Sequence, residues 1–272
     1  MQNSLFLGFG NRAIGADFTS AGSFQSNCGP DKLGNPQPAD HMQTTDTSNV
    51  TVNFDMGAVV PIRLLALIGD NLDGVGTIAW CFGSTSGATD IYDSGDELRW
   101  KFEPHGGYAW GEETNGNPFD ALKCLPEEIS ARYGSIVLKN TTNSAGFLRA
   151  GMIWVSDGET FDTGAVQEGF VPETKELKIS NESDSGADYG EVMRRWQEQK
   201  LVLPLLTSTE RDRMRDILLR YGTSGQLIFM PHIGNPVLNQ RYGFIGKFRE
   251  LNSIEFPGSR FARLPLAIKK LT

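Results

Sequence analysis

The 272-residue chain has a mass of 29.9 kDa, is 39% hydrophobic and 21% charged, and carries 31 glycines and 13 prolines, a composition that excludes a disordered chain and a coiled coil. No apolar run approaches the ~18 residues of a membrane span. Three scattered cysteines (Cys28, Cys81, Cys124) and three scattered histidines (His41, His105, His232) exclude a disulfide framework, a zinc knuckle and an HExxH site.

The start, Met1-Gln2-Asn3-Ser4, lacks a basic segment, so no secretory signal is expected. Gly8-Phe9-Gly10-Asn11-Arg12-Ala13 has the form GxGxxA after the apolar Leu5-Phe6-Leu7. A dinucleotide site needs a helix to follow, to hold the pyrophosphate at its N-terminus. Gly15, Gly22, Gly29 and Pro30 follow instead, so the segment reads as a glycine-rich turn and no cofactor is expected. Residues 15–48 are polar, without a long apolar period, and read as an extended arm or long loop.

Strand signals then recur. Thr51–Asp55 alternates; after a Met56-Gly57 turn, Ala58–Ile68 is nearly continuous apolar chain, with Pro61 arguing against a helix. Asp70-Asn71-Leu72-Asp73-Gly74 is a turn cluster. It could ligate calcium, but the twelfth position of an EF-hand count is Cys81 rather than Glu, and no metal site is assigned. Gly76–Phe82, Tyr133–Lys139 and Phe147–Val155 are further short strands. Between them stands an aromatic cluster, Trp100, Phe102, Tyr108 and Trp110, with Glu103 and His105. Trp100, Tyr108 and Trp110 are the candidate glycan-contacting residues, because ring faces stack on sugars; the same rings serve equally as a sandwich core or a subunit contact.

Charge divides the chain. Residues 1–163 hold 9 Lys/Arg against 20 Asp/Glu, a net of −11; residues 164–272 hold 16 against 13, a net of +3. With the polar connection Asp157–Gly164, this places two domains, 1–163 and 164–272. In the second, Ser180–Asp188 reads as a loop and Gln199–Leu206 as a strand. Thr207 and Glu210 form a capping box, Met214, Ile217, Leu218 and Tyr221 mark one helical face, and Gly222 is the stop, so the spacing predicts a helix over 207–221. Gln226–Met230, Tyr242–Leu251 and Phe261–Leu271 are strands, with Pro265 at an edge or bulge. The fold class is mainly β: an N-terminal β-sandwich, and a C-terminal sandwich or rolled sheet with one packed helix.

No GxSxG elbow or Walker loop is present, no paired carboxylates stand at a motif spacing, and no catalytic residue is assigned. The basic residues of the second half are diluted by acids, which argues against nucleic acid as a partner. Sequons at Asn49, Asn140 and Asn181 are formal matches only.

The stretch Val59–Leu72, with Gly151-Met152-Ile153-Trp154-Val155, resembles galactose-binding-like jelly rolls of phage minor tail proteins. Phe170–Lys175, Leu205–Glu210, Leu227–Pro231 and Tyr242–Gly246 resemble tail-tip proteins. The sheet-plus-helix order is similar to the belt domain of distal tail proteins and to tail-tube subunits. The resemblance runs from residue 50 onward and is to the distal or minor tail proteins of long, flexible-tailed phages. It implies a jelly roll followed by a tube-like belt domain, an order opposite to that of the usual distal tail protein. It further implies a virion structural protein made in the host cytoplasm. Such a protein forms a ring, usually hexameric, joining the tail tube to hub and fibres, with host surface glycan as a further partner. Residues 15–48 and 180–190 are then the segments expected to order in the assembly.

Overall fold

The computed structural model describes residues 5–99, 120–161, 171–182, 188–233, 239, 242–255 and 262–271. The chain is mainly β and divides into two compact units. One comprises Gly8–Glu159 with Asn235–Gly243; the other comprises Met1–Leu7, Thr160–Gly234 and Phe244–Thr272.

The first unit is a β-sandwich made largely from two long strands. β4 (Val50–Ile68) and β8 (Ala121–Lys139) pair antiparallel along their length, but the register breaks between Asp55 and Val60 and between Ile62 and Leu64. The expected Met56-Gly57 turn is thus a bulge inside one strand: Gly57 takes φ +77° and its N–H donates to Asp55 Oδ1 at 2.8 Å. Such bulges bend a sheet sharply. Val52 and Phe54 before the bend, and Ile62, Leu65 and Leu67 after it, enter one apolar core with Trp80 and Phe82 of β5 (Thr77–Gly83), Ile136 and Leu138 of β8, and Ile153 and Val155 of β10 (Met152–Ser156). The sheet order is β10-β4-β8-β5-β6, where β6 is Tyr92–Asp93; β2 (Asp17–Ser20) adds to β4 and β7 (Glu97–Leu98) to β5, and the short β3 (Met42–Gln43) pairs with β9 (Arg149–Ala150).

Residues 15–48 pack onto this sandwich and are not an extended arm. β2 pairs with β4 from Asp17↔Asp55 to Ser20↔Val52, and Leu33 and Met42 are fully buried in the core. Their apolar residues are isolated, so no period announces an element; each is a single anchor. The Gly10 turn (φ +67°) has a related role. Asn11 Nδ2 donates to Ile153 O at 2.8 Å, Val155 N donates to Asn11 Oδ1 at 3.0 Å, and Arg12 N donates to Val155 O at 2.7 Å. The turn therefore pairs the outer edge of β10, which would otherwise be open to strand addition.

The second unit is built on a seven-stranded sheet in the order β11-β1-β14-β15-β16-β13-β12. Its strands are β1 (Leu5–Phe9), β11 (Gly158–Phe161), β12 (Val171–Glu182), β13 (Asp188–Leu206), β14 (Gln226–Met230), β15 (Phe244–Phe248) and β16 (Ala262–Lys270). A division at 163/164 would assign Leu5–Phe9 to the first domain. The strand lies instead between β11 and β14, with all five residues buried. Pro265 sits opposite Val202 of β13, beyond Ile268–Lys270, the residues that pair with β15; on that side its backbone faces no strand among the described residues, and its carbonyl accepts from Asn252 Nδ2. The helix α1 spans Ser208–Tyr221 with both halves of the Thr207/Glu210 capping box present, and Gly222 closes it through its N–H to Leu218 O at 3.0 Å. Met214 is its one buried residue, so the packed face is narrower than the spacing predicts.

Candidate functional site

Among the described residues, each unit has a place where polar side chains gather around a nearly fully buried carboxylate. In the sandwich it is the end bearing the turn after β4. Asp70 follows Gly69, whose φ is +69°, and is buried with Arg99. Arg99 Nε donates to both carboxylate oxygens, at 3.0 and 3.1 Å, and a terminal guanidinium nitrogen reaches Asp70 Oδ2 at 3.0 Å; the side chains are 2% and 1% exposed. Arg99 N also donates to Gly76 O at 2.7 Å. Asp73 Oδ1 accepts from Val75 N and Gly76 N, the local bonding that makes Asp a turn former. Asn71 is bonded at both amide atoms, donating to Phe147 O and accepting from Arg149 N. The carboxylates of this turn thus accept from protein donors. Among the described residues no group of three or more His, Cys, Asp or Glu converges as a metal site.

Trp100, Tyr108 and Trp110 lie outside the described residues, as do Phe102, Glu103 and His105. What the structure shows is the residue before them: Arg99, held rigidly by Asp70, beside the exposed Val75 and Leu98. Of the sequons, Asn140 is 3% exposed, with its amide against Gly76, so a modifying enzyme cannot reach it in the folded chain.

In the second unit the organised feature is a hairpin. Residues 180–182 and 188–190, expected as loop, are strand: β12 and β13 pair from Val171↔Lys200 to Glu182↔Asp188. β16 pairs with β13 only from Glu198 to Leu206. Beyond Glu198, toward the tip, no third strand joins among the described residues, leaving a two-stranded ribbon of ~10 residues per strand, ~30 Å long.

At its root stands Glu198, its side chain 1% exposed. Oε1 accepts from Trp196 Nε1 at 2.7 Å, and Oε2 meets Arg249 at 2.6 Å and Lys175 Nζ at 3.0 Å. Burial alone would raise its pKa, but the bonds from Trp196, Lys175 and Arg249 outweigh it and hold the carboxyl below its ordinary value. Lys269 Nζ lies 4.6 Å from the Trp196 ring centroid, and Glu173 meets Lys200 at 2.9 Å and Lys175 at 3.7 Å. Sequence reasoning did not single out Glu198. Its one signal is an acid two residues from a tryptophan in a strand, and hence on the same face.

No helix among the described residues is long and apolar enough to cross a membrane. No family model and no curated protein matches the chain. Solved structures similar to it include chitosan-binding module 1 of a chitosanase/glucanase from Paenibacillus sp. IK-5, at 9% identity over 54% of this chain and 99% of the module, TM-score 0.38. Another is a CBM32 module of a family 31 glycoside hydrolase from Clostridium perfringens, at 14% identity over 55% and 99%, TM-score 0.38. A third is a CBM32 module from Clostridium perfringens in complex with GalNAc-β-1,3-galactose, at 8% identity over 54% and 100%, TM-score 0.40. These values lie below the level at which a shared function, or a shared fold, follows.

Proposed function

We propose that the chain is a structural subunit that works by pairing strand edges with copies of itself and with neighbouring proteins, in a ring at the tail tip of a phage virion. The observation that carries the reading is the β12–β13 ribbon. Two antiparallel strands alone are marginal in water, and three or more strands, or a covering element, are needed for independent stability. Past Glu198 both backbone edges of the ribbon lack a partner strand among the described residues. A neighbour supplying a strand at each edge satisfies those N–H and C=O groups, and head-to-tail repetition of that contact closes a ring. The sequence resemblance to distal and minor tail proteins supplies the setting: the virion, with tube, hub and fibre proteins as neighbours. The reading assigns no reaction to the chain.

The test compares the full chain with a variant in which residues 176–195 are replaced by an Asn-Gly turn. That turn joins Lys175 and Trp196, which are already cross-strand neighbours. Light scattering after size exclusion, with negative-stain microscopy, should show closed rings for the full chain and single folded copies for the variant. A full chain that stays a single copy at every accessible concentration refutes the reading.

The end of the sandwich supports a second role that is compatible with the first: contact with host surface glycans through Trp100, Tyr108 or Trp110. The favouring observation is the buried Asp70–Arg99 pair, which fixes the chain immediately before Trp100 as a rigid base for an aromatic-rich segment. A glycan array should give binding that Trp110→Ala abolishes. No signal above background for the full chain, or equal signals for chain and variant, sinks it.

A further inference from the structure

β13 changes its number of neighbours at Glu198. Among the described residues, Glu198, Gln199 and Lys200 are paired on both sides, by β12 and β16; Leu201–Leu206 are paired by β16, and Asp188–Gln197 by β12 alone. Glu198 is therefore the last residue of the supported sheet and the first of the free ribbon. Its carboxylate holds both. Lys175 and Trp196 belong to the two ribbon strands. Arg249 belongs to the sheet, since it follows β15 and its N–H donates to Ala267 O of β16 at 2.8 Å. One oxygen is occupied by a ribbon donor and the other is shared between ribbon and sheet.

The surrounding charges make this carboxylate indispensable to the arrangement. The groups facing it are Glu173 and Lys175 on β12, Lys200 on β13, Arg249 after β15 and Lys269 on β16. Among the described side chains, with Glu198 ionised, two acids stand among four cations. Without its charge, Glu173 is the one described acid facing Lys175, Lys200, Arg249 and Lys269. Lys175 and Arg249 then repel across the root, and the indole N–H of Trp196 loses its acceptor.

We propose that Glu198 is a latch that fixes the β12–β13 ribbon to its sheet, so that neutralising this one carboxylate loosens the pairing of the two ribbon strands from residues 197–198 outward while the sheet from Leu201 onward stays folded. The latch belongs to the free chain and goes beyond the assembly reading, on which it does not rest. It presents the ribbon in one direction before any partner arrives, which lowers the ordering cost of pairing. The hydrogen bonds that hold the Glu198 pKa down keep the latch closed at neutral pH, and only acidification below the ordinary carboxylate range opens it.

Hydrogen exchange on the dilute full chain, read by mass spectrometry, tests this. Glu198→Gln should speed exchange about tenfold or more in 174–182 and 188–197, and leave 201–206 and 264–268 unchanged. Lys175→Met and Arg249→Met keep the carboxylate and remove one donor each. They should give the same pattern at smaller amplitude, and they decide the matter if Glu198→Gln does not fold. Unchanged ribbon exchange in all three variants overturns the latch. An equal rise through 201–206 and 264–268 overturns it too, since Glu198 would then support the whole sheet.

Discussion

Gly134 is where the sandwich has least room, and its replacement by alanine tests the packing account directly. Gly134 of β8 is the register partner of Phe54 on one side and Phe82 on the other. The rings of Phe18, Phe54, Phe82 and Tyr92 run past it in series, with centroids 5.8, 6.0 and 6.4 Å apart. A Cβ at Gly134 would stand 2.3 Å from Phe54 Cζ and 2.8 Å from Phe82 Cε1. The first is short of ordinary contact by about 1.1 Å, and both rings are buried in a close-packed core. Gly134 is not among the residues with positive φ, so alanine tests space and not backbone strain. Overpacking of this kind costs about 1–3 kcal/mol. Removing a glycine from a strand returns about 0.5–1 kcal/mol. The expected net loss is about 1–2 kcal/mol, a fall of about 0.5–1 M in the urea midpoint. Four of the five tryptophans (Trp80, Trp100, Trp110, Trp154) lie within residues 1–163, so tryptophan emission reports mainly on this unit. If the Phe54 ring is the obstacle, Phe54→Leu should relieve it, with a coupling of about 1 kcal/mol in the double-mutant cycle. A neutral or stabilising Gly134→Ala, or strict additivity with Phe54→Leu, refutes the reasoning.

Arg99→Met leaves the Asp70 carboxylate buried without its main partner and should cost about 3–5 kcal/mol in the same titration, with less lost when Asp70→Asn is added. Thr207→Ala removes the hydroxyl that accepts from Glu210 N, while the backbone N–H of residue 207 can still donate to Glu210; it should cost about 1 kcal/mol, seen as faster amide exchange in the first helical turn, and Thr207→Ser should retain most of it. The Asp55 carboxyl is held below its ordinary value, first by the Arg132 hydrogen bond at 2.7 Å and then by Gly57 N. Its contribution is complete above the unfolded carboxyl range and is lost as pH falls through the depressed folded value. The urea midpoint of the wild type should therefore fall more steeply on acidification than that of Asp55→Asn. Parallel pH profiles would contradict this assignment.

What was legible beforehand was what neighbours in sequence determine for one another. The Thr207/Glu210 box, the Met214 period and the Gly222 stop are interactions within four residues, and α1 stands where they place it. The alternation over Thr51–Asp55 marked a strand for the same reason, and β4 contains it. The candidate glycan residues Trp100, Tyr108 and Trp110 were visible only as a composition, and they fall outside the described residues.

Other features depend on partners far along the chain. Leu5-Phe6-Leu7 is visibly apolar in the sequence, but the strand Leu5–Phe9 and its place between β11 and β14 need residues about 150 or more positions away. The polar run around residues 180–190 has loop composition, yet its flanks are strand because backbone pairing, which every residue type can make, was decided by the register that Val171↔Lys200 begins. Glu198 looks like any surface glutamate until β12, β13 and the segment after β15 bring Lys175, Trp196 and Arg249 to it. Local capping and alternation are thus properties of the chain itself. The ribbon's isolation, the latch at its root and the crowding at Gly134 belong to the folded sheets, because each is set by which distant strand lies beside, or is missing from, a given edge.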